Sequence, residues 1–205
     1  MPSPFWSSHI VPDTAPVLVL VAAALASTRP GRVGRTVADW FVERAVEHGG
    51  FEVEIADLAE INLPLFDEPA HPSTGKYVHE HTKRWSAQVA SADAFVFVMP
   101  EYNFSFNAAL KNAIDYLNRE WQYKPVAFVS YGGMSGGLRA VQMIKQVVTT
   151  LRMTPVVDAV AIPMVHSMVD ADGFHPTDIV ESSAKVVLDE LVKVGRALAT
   201  VRNES

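Results

Sequence analysis

The 205-residue chain contains no cysteine, so it has no disulfide, no thiolate nucleophile, no cysteine-ligated zinc and no iron–sulfur cluster. A reducing, cytoplasmic location is compatible with this composition, and we expect a cytoplasmic protein. The net charge is −6 and no long block of Lys and Arg occurs, which argues against a nucleic-acid-binding surface. The seven histidines show no spacing typical of a metal site, since His79 and His81 would diverge on a helix. We therefore expect neither a nucleic-acid partner nor a bound metal.

The chain also lacks a long hydrophobic run. Residues 17–24 are apolar throughout, but the stretch is too short to span a bilayer, and we expect no membrane association. The small residues that follow resemble a signal-peptide cleavage site, yet no Lys or Arg precedes them and Asp13 does. We interpret the run as a buried parallel strand, because such strands are continuously apolar.

From residue 17 onward, strand and helix patterns alternate. Residues 1–15, with three prolines, are interpreted as an irregular N-terminal arm that is either disordered or packs on a neighbouring subunit through Phe5 and Trp6. Residues 16–205 are predicted to form a single domain. The predicted strands are 17–24, 51–56, 93–99, 125–129 and 155–162, and the predicted helices are 35–48, 76–91, 107–119, 138–152 and 177–201. This alternation predicts a three-layer α/β sandwich around a five-stranded parallel sheet, for which the flavodoxin-like order 2-1-3-4-5 is the simplest assignment.

The loop after strand 1, residues 27–36, combines hydroxyl groups, arginines and glycines ahead of a predicted helix. A helix N-terminus has free N–H groups and a partial positive charge, which suit a phosphate, and Arg29 can bind phosphate oxygens in a fork. Neither the Rossmann glycine pattern nor the P-loop pattern is present, so a monophosphate fits better than a pyrophosphate or triphosphate. A solvated turn is the equally weighted alternative.

Two further loops follow the predicted strands 3 and 4. Residues 100–103 (Pro-Glu-Tyr-Asn) offer consecutive N–H groups and the flat face of Tyr102 to a planar ligand, although a simple helix-entry turn explains them equally well. Residues 130–137 include four glycines, which allow a flat ligand to approach the backbone. The alternative there is a flexible connection. Because the carboxyl ends of parallel strands meet at one edge of a sheet, the three loops predict one composite crevice.

Together these motifs resemble the NADPH-dependent FMN reductase family, which has a flavodoxin-like fold. The matching pieces stand in the family's order over roughly residues 17–165: Ser27-Thr28-Arg29, Pro100-Glu101-Tyr102-Asn103, Leu110-Lys111-Asn112-Ala113-Ile114-Asp115, Lys124-Pro125-Val126, Ser130-Tyr131-Gly132-Gly133 and Gly136-Gly137-Leu138-Arg139-Ala140. The resemblance implies an FMN-dependent NAD(P)H oxidoreductase, with NADPH favoured, that passes electrons in a ping-pong scheme. The acceptor would be a small molecule, namely a quinone, an azo compound, a metal oxyanion or free flavin.

The resemblance also implies roles for individual residues. The FMN phosphate would be held by Ser27, Arg29 and the turn Val33, Gly34 and Arg35. The ribityl chain and one side of the isoalloxazine would be lined by Pro100, Glu101, Tyr102 and Asn103, and the other edge by Ser130, Tyr131, Gly132 and Gly133. No protein residue is expected to act as a catalytic acid or base, because the flavin N5 carries the hydride chemistry. His166 and His175 are candidates for approaching the flavin from a neighbouring subunit.

Two departures from the family pattern leave other functions open. Ala26 stands where the family often has Gly, and Asn107-Ala108 stand where it often has Pro-Gly. A flavodoxin-like electron carrier without enzymatic activity, and a flavin-based sensor or interaction protein, are therefore the alternatives. The family also implies a homodimer or tetramer, with contacts expected at residues 107–119 and 121–123. We expect Asp57 and Glu68 to be loop or surface carboxylates, and Trp85 and Trp121 to lie either in the core or in a subunit interface.

Overall fold

The computed structural model describes residues 18–204, so the proposed N-terminal arm, including Phe5 and Trp6, lies outside the described residues. Strands alternate with helices along the described chain. The main strands are β1 (Leu18–Leu25), β2 (Phe51–Asp57), β3 (Ala94–Pro100), β4 (Pro125–Tyr131) and β5 (Thr154–Ile162), with β6 (Val169–Asp170) and β7 (Gly173–Phe174) forming a small antiparallel hairpin. The helices are α1 (Gly34–His48), α2 (Leu58–Ile61), α3 (Glu80–Ser91), α4 (Ala108–Asp115), α5 (Leu138–Thr150) and α6 (Asp178–Asn203).

The five main strands form one parallel sheet in the order β2-β1-β3-β4-β5. Strands β3 and β4 are buried along their whole length, as their continuous apolar sequences require at the centre of a sheet covered on both faces. All five strands point the same way, so the loops that follow β1, β3, β4 and β5 meet at one edge. The topology thus brings sequence-distant loops together.

Side chains alternate between two cores, one on each face of the sheet. On β3, Val96 and Val98 pack with α1 and α6, while Phe95 and Phe97 pack with α3, α4 and α5. Helix α1 exists because Val37, Phe41 and Ala45 recur at helical spacing and are all buried, and Gly49 ends it in the left-handed conformation at φ +71°. The α/β sandwich that the sequence predicts is present, with helices on both faces.

Several predicted boundaries are wrong. The predicted helix at 76–91 begins only at Glu80, because Glu68, a buried carboxylate, accepts hydrogen bonds from the backbone N–H groups of Val78 and His79 and holds them outside the helix. The predicted helix at 107–119 ends at Asp115. The long loop after β2 contains α2, whose N-terminus is capped by Asp57.

The two tryptophans with open assignments both lie in the core. Trp85 and Trp121 are each at most 3% exposed, pack edge to face at 6.0 Å between ring centroids, and donate their indole N–H groups to α4 carbonyls. Trp121 therefore contributes no surface to the subunit contact expected at residues 121–123. No helix among residues 18–204 combines the length and apolar composition needed to cross a membrane.

Candidate functional site

The loop between β1 and α1 is a compact turn held by Arg32. The Arg32 guanidinium donates to both carboxylate oxygens of Asp57 at 2.6 and 2.5 Å and to the Ser27 carbonyl at 2.6 Å. Gly31 supplies the left-handed residue of the turn at φ +69°, and the Arg32 N–H donates to the Arg29 carbonyl. No side chain caps the start of α1, so its first N–H groups are available to an anion.

The loop after β3 closes into a tight turn. Tyr102 and Ser105 exchange two backbone hydrogen bonds at 2.8 and 3.0 Å, and the two residues between them have left-handed backbones, Asn103 at φ +49° and Phe104 at φ +70°. Positive φ is unfavourable for a residue as bulky as Phe, and strain of this kind clusters at functional sites. The Tyr102 hydroxyl lies 3.1 Å from Ser27 Oγ, which joins this loop to the first one.

Glu101 joins the loop after β3 to the loop after β4. Its backbone N–H donates to the Tyr131 carbonyl, and its carboxylate accepts from the Arg139 backbone N–H at 3.1 Å and from the Arg139 guanidinium at 2.9 Å. Burial opposes ionisation of this carboxyl, but hydrogen bonds from Arg139 and Ser135 outweigh it and lower the pKa of Glu101 below its usual value. The Arg139 guanidinium also lies 4.0 Å from the centroid of the Phe104 ring.

A fourth segment, Met164 to Ser167 after β5, completes the site. The N–H groups of Met164 and Val165 donate to the carbonyls of Gly133 and Gly132, so the segment is held against the loop after β4. The four segments enclose a crevice of about 360 Å³, within the usual range for small-ligand sites.

Nine of the thirteen sequence-predicted site residues line this crevice: Ser27, Arg29, Val33, Pro100, Glu101, Tyr102, Tyr131, Gly132 and Gly133. They come from three loops that are far apart in sequence, and the sheet edge brings them together. The prediction of one composite crevice agrees with this arrangement.

The other four predicted residues lie beside the crevice. Gly34 is buried below it, where an added Cβ would stand 2.3 Å from the Tyr131 hydroxyl. The Arg35 side chain does not line the crevice; its Nε pairs with Asp39 on α1, and its Nη1 lies 3.7 Å from Asp57 Oδ2 and 3.6 Å from Glu60 Oε1. Asn103 is at the exposed tip of its turn, and Ser130 is fully buried with its hydroxyl donating to the Gly136 carbonyl.

Six lining residues were not among the thirteen predicted to bind the cofactor: Gly31, Arg32 and the run Met164, Val165, His166 and Ser167. Gly31 and Arg32 belong to the loop that was predicted to bind a phosphate, where the glycines were expected to let the backbone approach the ligand, but no specific contact was assigned to either residue. The last run follows an apolar strand and contains no glycine, and His166 was its one residue with a candidate role, an approach to the flavin from a neighbouring subunit. His166 lines the crevice of its own chain.

The crevice fits a planar ligand that carries a phosphate. Arg29, the Ser27 hydroxyl and the uncapped start of α1 gather donors and positive charge at one side, while the charge of Arg32 is paired with Asp57. On the other side, a Cβ built on Gly133 would meet no atom within 4 Å, so the absent side chain leaves open space for a flat ring. Among residues 18–204, no group of three His, Cys, Asp or Glu side chains is placed to hold a metal ion.

The two unusual positions noted in the sequence contact each other. The Asn107 side-chain amide donates to the Ala26 carbonyl, and both residues are buried directly behind the first loop. Asn107 has φ −77° and ψ 153°, a conformation that a proline also adopts. The backbone at the start of α4 therefore has a conformation that a proline would also accept, and the Asn107 side chain adds a bond to the end of β1.

Comparison with known proteins gives consistent matches. Residues 19–167 match the family model described as NADPH-dependent FMN reductase. An NAD(P)H-dependent FMN reductase of Schizosaccharomyces pombe is 41% identical over 147 residues, covering 70% of this chain and 73% of that protein. An NADPH azoreductase of Bacillus sp. is 32% identical over 180 residues, covering 85% of this chain and 90% of that protein.

Among solved structures, the flavoenzyme NAD(P)H:(acceptor) oxidoreductase FerB of Paracoccus denitrificans superposes with a TM-score of 0.70. The match covers 88% of this chain and 98% of that one, at 21% sequence identity. At this identity the likeness establishes the fold, which is the flavodoxin-like α/β architecture that the sequence predicts.

Proposed function

The chain belongs to the NADPH-dependent FMN reductase family and is an FMN-dependent NAD(P)H oxidoreductase, and we propose that the four-segment crevice is its FMN site. The observation that carries this proposal is the convergence of three sequence-distant loops on one crevice of about 360 Å³. Each loop follows the carboxyl end of a parallel strand, where ligands bind in sheets of this type.

The FMN phosphate is placed at the first loop. Arg29 and the hydroxyl of Ser27 face the crevice there, and the turn formed by Val33, Gly34 and Arg35 offers backbone N–H groups at the uncapped start of α1. We expect no contribution from the Arg35 side chain, because it lies among the carboxylates of Asp39, Asp57 and Glu60 and does not line the crevice. The phosphate is thus bound by one arginine side chain and the helix N-terminus.

The flavin ring is placed between the loops after β3 and β4. Pro100, Glu101 and Tyr102 line one side, with Asn103 next to them at the exposed tip of the turn, while Tyr131, Gly132 and Gly133 line the other side. Ser130 supports the glycines from below through its bond to Gly136. The Glu101–Arg139 ion pair holds the two loops at a fixed separation. Such preorganisation lowers the entropy cost of ordering the loops around a cofactor.

When bound, FMN would supply the redox chemistry, which is hydride acceptance from NAD(P)H followed by electron transfer to a second substrate. We propose that the residues lining the crevice bind and orient the flavin, and that the flavin N5 rather than a protein acid or base carries the hydride chemistry. We propose a small acceptor, namely a quinone, an azo compound, a metal oxyanion or free flavin, and NADPH in preference to NADH. The azoreductase relative from Bacillus supports an acceptor of this class.

Assembly, domain organisation and location are part of the same proposal. A homodimer or tetramer is supported by the apolar groove of about 990 Å³ beside α4 and α5, where Phe66 and Met143 are 40% and 44% exposed. We propose one domain over residues 16–205, and the cytoplasm, where NAD(P)H is supplied, as the compartment. Light scattering of wild type and Met143→Asp tests the assembly, since a charge in a subunit interface should dissociate the oligomer.

Steady-state kinetics test the catalytic proposal. NADPH oxidation is measured against a quinone at several fixed quinone concentrations, with the protein saturated with FMN. Parallel double-reciprocal lines are expected from a ping-pong enzyme. Arg29→Gln should weaken FMN binding, while Lys193→Gln, an exposed control on α6 that does not line the crevice, should not. Absence of NADPH oxidation with every acceptor, despite bound FMN, contradicts the proposal and favours an electron carrier or a sensor.

A further inference from the structure

Asp57 is a buried carboxylate at the end of β2, and its contacts point into the first loop of the site. Its side chain is only 1% exposed, although the sequence predicts a surface or loop carboxylate. One oxygen accepts the backbone N–H of Ala59 at 3.0 Å and so caps α2, while both oxygens accept from the Arg32 guanidinium. A buried carboxylate with this complete set of donors is held in one orientation.

Arg32 connects Asp57 to the backbone of the crevice. Besides the two bonds to Asp57, its Nη1 donates to the Ser27 carbonyl at 2.6 Å. Its own backbone N–H donates to the Arg29 carbonyl at 3.2 Å. Arg29 therefore lies on a short segment whose two ends, Ser27 and Arg32, are tied together and anchored to β2.

The three arginines of this region differ in whether their positive charges are paired with carboxylates. Arg32 is neutralised by its ion pair with Asp57, and Arg35 Nη1 lies 3.7 Å from the same carboxylate. Arg29 makes no ion pair with any residue in the described range 18–204, and it lines the crevice. The free positive charge of the loop is thus on Arg29, while Arg32 serves to shape the loop.

We propose that Asp57 is a positioning residue for phosphate recognition: through Arg32 it fixes the segment from Ser27 to Val33 in the shape that presents Arg29 and the start of α1 to the FMN phosphate. The inference rests on the proposed placement of the phosphate at this loop. Asp57 itself touches no ligand, because its oxygens are occupied by Arg32 and Ala59.

For Asp57→Asn, the positioning role and simple electrostatics predict opposite changes in FMN affinity. The substitution removes a negative charge near the phosphate and frees the charge of Arg32, so Coulomb attraction alone would tighten FMN binding. Loss of the ion pair lets the loop relax, so the positioning role predicts weaker FMN binding. Asparagine still caps α2, since it is as good an N-cap residue as aspartate, and this keeps the local helix intact.

The test compares FMN with riboflavin, which lacks the phosphate. The full chain, freed of flavin, is titrated with each ligand while flavin fluorescence is followed, and the readout is the ratio of the riboflavin Kd to the FMN Kd. Wild type should show a large ratio. In Asp57→Asn the ratio should fall about tenfold or more, the scale expected for loss of hydrogen bonds to a charged group, with riboflavin Kd nearly unchanged.

Glu60→Gln is the matched control. Glu60 lies 3.6 Å from Arg35 and is exposed, so its substitution removes a charge of the same sign in the same region without touching the Arg32–Asp57 pair. It should keep the wild-type ratio. An unchanged ratio or tighter FMN binding in Asp57→Asn overturns the positioning role.

Two further results distinguish a failure of the positioning role of Asp57 from a failure of the proposed phosphate placement. A wild-type ratio near one would contradict the placement of the phosphate itself, and the inference with it. If Asp57→Asn loses its fold, shown by loss of riboflavin binding, the same ratio is measured in Arg32→Lys instead. A lysine keeps the positive charge but cannot make both the two-pronged contact with Asp57 and the bond to the Ser27 carbonyl. The same fall in ratio supports the proposal, and a wild-type ratio in Arg32→Lys overturns it.

Discussion

Lys124 makes the stability of the protein depend on pH in an unusual range. Its ammonium group is buried between β4 and the end of α3, where it donates to the carbonyls of Val89 and Ala90 at 2.8 and 3.0 Å. Burial, with a smaller contribution from the charge of Arg202, lowers the pKa of Lys124 from 10.5 to about 8. Between these two values the folded protein holds Lys124 neutral while the unfolded chain holds it charged.

The sign of the effect follows from proton counting. Above about pH 8 the unfolded state binds more protons than the folded state, so the free energy of unfolding increases with pH. At about 1.4 kcal/mol per pKa unit the full effect is about 3 kcal/mol, of which about 2 kcal/mol develops between pH 8 and 10. Above pH 10 the trend reverses, because burial raises the pKa values of Tyr77, Tyr116 and Tyr131 and the unfolded chain then loses protons first.

Urea unfolding of the FMN-saturated protein at pH 7.5, 8.5, 9.5 and 10 measures this dependence. Lys124→Met, which has a side chain of similar length and no charge, is the matched variant, and the difference between wild type and variant cancels any effect of pH on flavin binding. The difference should change by about 2 kcal/mol in favour of wild type as the pH rises. If the free energy of unfolding rose equally with pH in wild type and in Lys124→Met, the claim that Lys124 is buried and neutral above pH 8 would be refuted.

Three further predictions concern the crevice. Gly137→Ala should lower the free energy of unfolding by about 2 kcal/mol or more, because at φ +85° its Cβ would lie 2.6 Å from the Ser130 Cβ. Gly31→Ala is the control: its φ is +69° but an added Cβ meets no atom, so it should lower the free energy of unfolding by only about 1 kcal/mol. Equal losses for the two variants in urea unfolding would contradict this. Gly133→Val should raise the FMN Kd more than about tenfold by filling the ring space, with unfolding nearly unchanged, as fluorescence titration would show. Tyr131→Phe should leave the stability of flavin-free protein unchanged or raise it by about 1 kcal/mol. Among residues 18–204 no hydrogen bond of normal geometry reaches its buried hydroxyl, and the nearby Ser27 Oγ is bonded to the Tyr102 hydroxyl instead. A clear loss of stability in urea unfolding would contradict this.

The sequence predicted the parts of the fold that depend on local pattern. β3 and β4 are continuous apolar runs that end in Pro100 and in a glycine-rich loop, so both strands and the loops after them could be placed. The family assignment followed from those loops and is confirmed by the family match. Helix α2 was missed because four residues are too few to show a helical period.

Features that depend on contacts between distant residues could not be predicted in the same way. The carboxylate of Asp57 is bonded to Arg32, 25 positions away in the sequence, and no pattern in either segment predicts this pair. Glu68 accepts backbone N–H groups ten and eleven positions later, which displaced the start of α3. Trp121 was equally plausible in a core or an interface, because size alone does not say which apolar surface covers an indole.

The most direct test of the central claim is the visible absorbance spectrum of the purified protein under anaerobic conditions, before and after addition of NADPH. Flavin bands that bleach on addition of NADPH, and return when a quinone is added, are the result we predict. They would demonstrate a bound flavin that accepts a hydride and passes electrons on. A protein that shows no flavin bands, even after incubation with FMN, would contradict the assignment of the crevice as the FMN site.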